Sequence, residues 1–311
     1  MLPWRALVHA AEPTTRPESD ALGDVLPRRV LGKTDMRVSM LTLGGSHIGR
    51  PSETEAQAII EAAMELGIRT FETAQLYQNG GSEERLGKYL TPRYREHVQI
   101  FTKTMAQDAA TARQHLDDSL RRLRTDVIDL WQLHDVRSPA QAERRIAGVL
   151  DVMLRAKADG KVRHIGFSGH ATWRAHARIL ELTDAFETCL MPVNVADPSY
   201  ESFILNLLPQ LTERNMGVLA MKTLGGDGLI GRRGKPGIIP ELLSVADALR
   251  FAWSLPIHSL VSGIGRMQHL RENAATARAF VPMSAEERAA LIEKVRPRAE
   301  DGSMEYYKFD T

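Results

Sequence analysis

Glu72, Tyr77, Lys103 and His134 each stand at or just past the end of a separate short apolar run. A tyrosine hydroxyl beside a lysine is a plausible proton donor to a carbonyl, because the ammonium favours the phenolate and draws an intrinsic pKa of about 10 toward the working range. A carboxylate paired with that lysine keeps it charged and oriented, and a neutral histidine can hydrogen-bond an oxygen on which charge develops. Taken singly, each residue has a plainer reading. Tyr77 is then a half-buried packing residue, Lys103 a solvated charge closing the strand Ile100-Phe101-Thr102, and His134 a structural histidine closing Ile128 to Leu133. Taken together they suggest hydride-transfer chemistry, and they require a fold that brings the ends of several strands to one place. A (β/α)8 barrel does so, since residues at the carboxyl ends of its strands meet in a single pocket.

The elements that must position them follow from alternation along the chain. Strands are expected at Met40 to Leu43, Arg69 to Phe71, Val98 to Thr102, Val127 to Leu133, Val162 to Phe167, Glu187 to Val193, Gly217 to Met221 and Ser259 to Val261. Between them lie amphipathic helices. The first opens on a capping box, Ser52 with Glu55, and the second starts at Ser82 with Glu83 and Glu84 in its first turn. A third carries Ala109, Ala112, Leu116 and Leu120, and others run near 140–158, 173–182, 200–214, 240–253 and 268–279. Strands and helices in strict alternation predict a closed parallel TIM barrel, preceded by a hairpin over Arg29 to Val38 and followed by an extra helix over Ser284 to Val295. Residues 1–27 read as a flexible lead-in, 28–311 as one barrel domain, and Asp301 to Thr311 as a polar tail.

Composition narrows the class. Hydrophobic residues make up 43% and charged residues 25%, enough to bury a core. A net charge of +1 supplies no overall field toward nucleic acid or a membrane surface, and no run approaches the length of a membrane-spanning segment, so neither is an expected partner. The single cysteine, Cys189, excludes an internal disulfide and reads as a buried core thiol. No metal motif is present among the scattered histidines. The pairs Arg144-Arg145 and Arg232-Arg233 read as solvated faces or loops, and Trp131 as packing behind its strand. A cytoplasmic protein is expected, with export the alternative if Trp4 to Ala11 is the remnant of a signal.

From about Val30 to Ala279 the chain resembles the aldo-keto reductases. The resemblance rests on Leu41-Thr42-Leu43-Gly44-Gly45, Glu72-Thr73-Ala74 to Tyr77, Ser82-Glu83-Glu84-Arg85-Leu86-Gly87, Thr102-Lys103, Asp129 to His134, Gly166-Phe167-Ser168 and Glu272-Asn273. It implies a (β/α)8 barrel that binds NADP(H) or NAD(H) without a Rossmann fold and reduces a small aldehyde or ketone, as a monomer or small homo-oligomer. It also implies Tyr77 as general acid, Lys103 as its partner, His134 as the group orienting substrate, and Glu72 where the family usually has Asp. Gly44, Gly45, Ser46 and Glu72 would lie at the nicotinamide, with Ser168 at its carboxamide. There the usual Asn is Gly169, and the usual Gln on the next strand is Leu190. The loop through Met221, Lys222, Leu224 and Gly226 would follow the pyrophosphate. Gly263, Gly265, Arg266, His269, Glu272 and Asn273 would hold the adenosine half, Arg266 suiting a 2′-phosphate and His269 standing where Arg is frequent. The loop Asp227 to Ile239 is expected to fold over the cofactor as a lid. A rival reading is a regulatory protein that kept the cofactor pocket with little turnover; a barrel hydrolase or lyase lacks the metal or carboxylate pair it would need.

Overall fold

The computed structural model describes residues 18–232 and 234–309. Eight parallel strands close into a barrel: β1 Leu41–Gly44, β2 Thr70–Glu72, β3 Gln99–Thr104, β4 Ile128–Leu133, β5 Val162–Ser168, β6 Thr188–Pro192, β7 Gly217–Met221 and β8 Ser259–Gly263. Each expected strand is present with ends shifted by no more than two residues, because β-branched and aromatic runs bounded by turns specify buried parallel strands strongly. Side chains alternate between two apolar layers. Ile100, Trp131, Cys189, Met191, Val218 and Ala220 join the large core between strands and helices. Phe101, Leu130, Leu190 and Leu219 point the other way and form a second cluster inside the barrel.

That inner cluster is closed by the hairpin of Arg28–Val30 and Arg37–Ser39, whose Leu31, Met36 and Val38 pack onto it. The fit needs Gly32 in a left-handed conformation (φ 55°), since a Cβ there would lie 2.2 Å from the Gly217 nitrogen. Two residues above Phe101 and Leu130 on the same inner face come Lys103 and Gln132, which are register partners. The stopper of apolar side chains thus forms a floor, and polar chemistry begins one layer above it.

Helix starts are locally specified. Ser52 and Glu55 form the expected capping box before Glu53–Glu65, and Ser244 with Asp247 and Ser284 with Glu287 form two more. Three expectations need correction. Within the lead-in, Glu18–Asp20 and Gly23–Val25 make a hairpin anchored by an Asp20 to Arg69 ion pair; residues 1–17, with the alternative of a signal remnant, lie outside the described residues. The helix expected over 200–214 is two short ones, Phe203–Asn206 and Leu208–Glu213, and that expected from 240 begins at Val245 after the loop containing Pro240. The polar tail is no loose end. Glu305, Tyr307 and Lys308 are buried, and Asn194 Nδ2 donates to Glu305 Oε1 at 2.8 Å while Lys308 Nζ reaches Asp197 Oδ1 at 2.9 Å. No helix among the described residues is long and apolar enough to cross a membrane.

Candidate active site

The four residues expected to act together do meet at the carboxyl ends of β2, β3 and β4. Lys103 Nζ donates to Tyr77 Oη at 3.2 Å and to the Thr73 carbonyl at 2.8 Å, and it forms an ion pair with Glu72 Oε1. The glutamate's additional methylene is therefore absorbed, and its carboxylate reaches the lysine. The Tyr77 and His134 rings meet edge to face, centroids 5.5 Å apart. Lys103 and Glu72 are almost wholly buried, whereas Tyr77 and His134 are half-buried.

Burial sets the protonation of the group. It pushes the Tyr77 phenol up from its ordinary value, and the nearby Asp135 carboxylate adds to that push. This is the reverse of the direction expected from a neighbouring ammonium, desolvation being the main cause, and the resting phenol keeps its proton. Burial also pushes the Lys103 ammonium well down, against which the Glu72 carboxylate is the compensating charge. His134 is driven well below its ordinary value by burial and then by Lys103, so its imidazole is neutral, and its Nδ1 has no partner among the described residues.

Several supports were not recognised in the sequence. Arg145, expected on a solvated face, is 1% exposed. From the Pro139–Ala158 helix its guanidinium donates to the carbonyls of Thr104 and His134, both at 2.6 Å, and of Ala106 at 3.0 Å, which fixes the ends of β3 and β4. Arg144 is exposed as expected; Arg232 lies over the Tyr306 ring at 3.5 Å, and Arg233 is outside the described residues. Ser82 and Glu83, read as a helix start, are buried: Ser82 Oγ donates to the Gly45 carbonyl at 2.9 Å, and Glu83 accepts from Thr102 Oγ1 at 2.6 Å and from Arg122 Nε at 2.7 Å. Gly80 stands at the N-cap instead. Asp135, unassigned in the sequence, follows His134 directly. The periodic signal of a helix hides which of its polar residues turn inward.

The residues expected to hold a cofactor lie at strand ends and in the loops and helix that follow them. Gly44 ends β1, and at Gly45 a Cβ would lie 2.6 Å from the Glu72 carbonyl, so glycine there lets the β1 and β2 ends approach each other. Ser46 Oγ lies 3.0 Å from His47 Nδ1. Ser168 Oγ donates to the Leu133 carbonyl at 3.0 Å, while Leu190 belongs to the inner apolar cluster. At Gly169 a Cβ would lie 2.5 Å from the Val136 carbonyl and 2.7 Å from His176 Nε2, so this backbone has no room for the larger residue of the resemblance. Past Met221 at the end of β7 the chain turns through left-handed Lys222 (φ 58°) and Gly226 (φ 58°), with Leu224 packed on the core. Beyond Gly263 and Gly265, Arg266 and His269 are exposed at the start of the Met267–Arg278 helix, whose N-terminus has no side-chain cap. Glu272 accepts from Gln268 at 2.8 Å, and Asn273 donates to Ser262 Oγ at 3.1 Å.

A phenol, an ammonium-carboxylate pair and a neutral imidazole gathered at the mouth of a (β/α)8 barrel mark the candidate active site of a barrel enzyme. A model of the Aldo/keto reductase family matches residues 40–241, and the chain belongs to that family of oxidoreductases. It is 27% identical to L-galactose dehydrogenase of Arabidopsis thaliana over 286 residues, covering 79% of this chain and 86% of that protein. Among solved structures, an aldo-keto reductase from Bacillus halodurans matches with TM-score 0.75 and 25% identity over 86% of this chain and 96% of that one. An aldo-keto reductase from Klebsiella pneumoniae in complex with NADPH shares the fold, with TM-score 0.70 and 21% identity over 88% of this chain and 96% of that one.

Proposed function

We propose that this protein reduces an aldehyde or ketone to an alcohol with a nicotinamide cofactor, Tyr77 delivering the proton. The observation that carries this reading is the Lys103 to Tyr77 hydrogen bond at 3.2 Å, made by a lysine that is itself paired with Glu72. Bound NAD(P)H supplies the hydride for the carbonyl carbon. Tyr77, held protonated by burial, hydrogen-bonds the carbonyl oxygen and gives up its proton as negative charge builds there. Lys103 stabilises the phenolate left behind, and Glu72 keeps Lys103 cationic. His134 orients the same oxygen, its ring set against Tyr77.

The residues present fit the cofactor. The uncapped N-terminus of the Met267–Arg278 helix leaves backbone N–H groups for an anion, with exposed Arg266 and His269 beside it. Arg266 suits a 2′-phosphate by its forked geometry, which favours NADP(H). Lys222 and the glycines after it suit the pyrophosphate. The Klebsiella pneumoniae aldo-keto reductase solved in complex with NADPH supports a nicotinamide cofactor for this fold.

Tyr77→Phe should lower kcat/KM for NADPH-dependent aldehyde reduction by about a thousandfold, within the range attributed to a positioned general acid, while NADPH binding by fluorescence titration persists. An undiminished rate would remove Tyr77 from the role. The packing that excludes a side chain at Gly169 favours a second reading, a cofactor-binding protein with weak turnover. NADPH binding without its oxidation across a broad panel of carbonyls would select that one.

A further inference from the structure

Tyr77 is followed by three residues in left-handed conformations: Gln78 (φ 49°, ψ 43°), Asn79 (φ 55°, ψ 39°) and Gly80 (φ 93°). Glycine takes that state freely and Asn tolerates it, whereas the Cβ of a Gln is strained there. At Gly80 the missing side chain also makes room for Arg122, since a Cβ would lie 2.7 Å from Arg122 Cδ. Gln78 is held instead by its own side chain. Its Nε2 donates to the Ser46 carbonyl at 3.0 Å, and its Oε1 lies against Gly49, where a Cβ would come within 2.2 Å of it. That Oε1 is buried and has no hydrogen-bond partner among the described residues. Gln78 thus carries two costs, a left-handed backbone and an unsatisfied acceptor, at a position that glycine would occupy with neither. Strain of this kind persists only where the surroundings enforce it, and it gathers at functional sites.

The segment around Tyr77 is tied on two sides. Toward β3, the Thr73 N–H donates to the Phe101 carbonyl at 2.8 Å and the Gln75 N–H to the Lys103 carbonyl at 3.3 Å, while Lys103 Nζ meets Tyr77 Oη. Toward the loop after β1, Ser82 Oγ donates to the Gly45 carbonyl and Arg85 to the Ile48 carbonyl. Both of those lie beyond the left-handed turn, and Gln78 makes the tie nearest to Tyr77 along the chain. We propose that Gln78 is a positioning residue for proton transfer: by fixing the turn to the Ser46 carbonyl, it holds the Tyr77 phenol in line with Lys103 and in register with the loop after β1. That loop is the one expected to lie at the nicotinamide, and the proposal rests on the reading of Tyr77 as general acid. Without the bond to Ser46, Gln78 relaxes toward the backbone regions that Gln prefers, and the peptide joining it to Tyr77 turns with it. A displacement of a proton donor by about 1 Å is enough to cost on the order of a hundredfold in rate.

The test is Gln78→Gly, which removes the bond to Ser46 and suits the left-handed backbone. Relief of strain offsets the added freedom of the unfolded chain, so Tm should stay near that of the wild type. In contrast, kcat and kcat/KM for NADPH-dependent aldehyde reduction should fall together by about 10- to 100-fold, while the NADPH Kd from fluorescence titration changes by less than about threefold. Gln78→Glu keeps the length of the side chain but can only accept when ionised, and it should show the same fall. In a Tyr77→Phe background, Gln78→Gly should change the residual rate by less than about threefold, because no proton donor is left to place. An undiminished rate in Gln78→Gly, a fall of equal size with and without the Tyr77 hydroxyl, or a fall matched by lost NADPH affinity overturns the proposal and leaves carbonyl reduction intact. No NADPH oxidation by the wild type with any aldehyde overturns the underlying reading instead. Should Gln78→Gly fail to fold, Gln78→Glu decides on the same measurements, and should Tyr77→Phe have no measurable rate, the single variants decide.

Discussion

Glu72 does at residue scale what a shorter carboxylate does in the family pattern, because its longer side chain still reaches Lys103 and shares that lysine's burial. A lysine that burial presses toward neutrality depends on this one counter-charge to stay cationic. Glu72→Gln should therefore move the alkaline limb of the kcat–pH profile down by about one unit or more, as Lys103 loses its proton earlier, while Glu72→Asp leaves the limb near its original place. A profile unmoved in Glu72→Gln would mean the carboxylate serves packing alone. That these residues belong together was legible from their types and their positions at strand ends. The direction in which Tyr77 shifts was not, because depth of burial depends on how the neighbouring loops close, and no local pattern states it.

At the scale of elements, the strands and most helices could be read because each carries its own period and its own caps. What escaped were residues whose partners lie on other elements. Arg145 looks like one of a pair of surface cations at a polar helical position, yet it gathers three carbonyls from the ends of β3 and β4. Glu83 looks like an acidic first-turn residue, yet it ties its helix to Thr102 and Arg122. Arg145→Met should leave those buried carbonyls unsatisfied and cost about 3 kcal/mol or more of stability, read by urea denaturation, with a lower kcat because the His134 carbonyl loses its anchor. Burial lowers the Arg145 guanidinium only to about 10, so the latch stays charged throughout the neutral range. A loss below about 1 kcal/mol would show that the latch is dispensable.

For the whole molecule, the barrel floor and its hairpin stopper behave as one unit, fastened at the edge by His164. Burial disfavours the charged imidazole, but hydrogen bonds to Glu187 Oε1 at 2.9 Å and Asp35 Oδ1 at 2.8 Å outweigh it, and its pKa stands above the ordinary 6.5. The folded state thus holds this proton more tightly than the unfolded chain, so the stabilisation is complete below pH 6.5 and fades as pH rises through the folded value. Glu187 runs the other way. Burial raises it, but His164 and Lys157 together hold it down to about 2, so its contribution is complete above 4.5 and is lost as pH falls toward 2. Taken together, the pair places its greatest contribution between about 4.5 and 6.5. Replacing His164 by Gln should flatten the decline of Tm on the alkaline side, followed from about pH 5 to about pH 8, by an amount on the order of 1 kcal/mol in stability. Because Asp35 sits in the hairpin turn and Glu187 precedes β6, an alkaline slope unchanged by that substitution would mean the stopper is held by Leu31, Met36 and Val38 alone, with no contribution from charge.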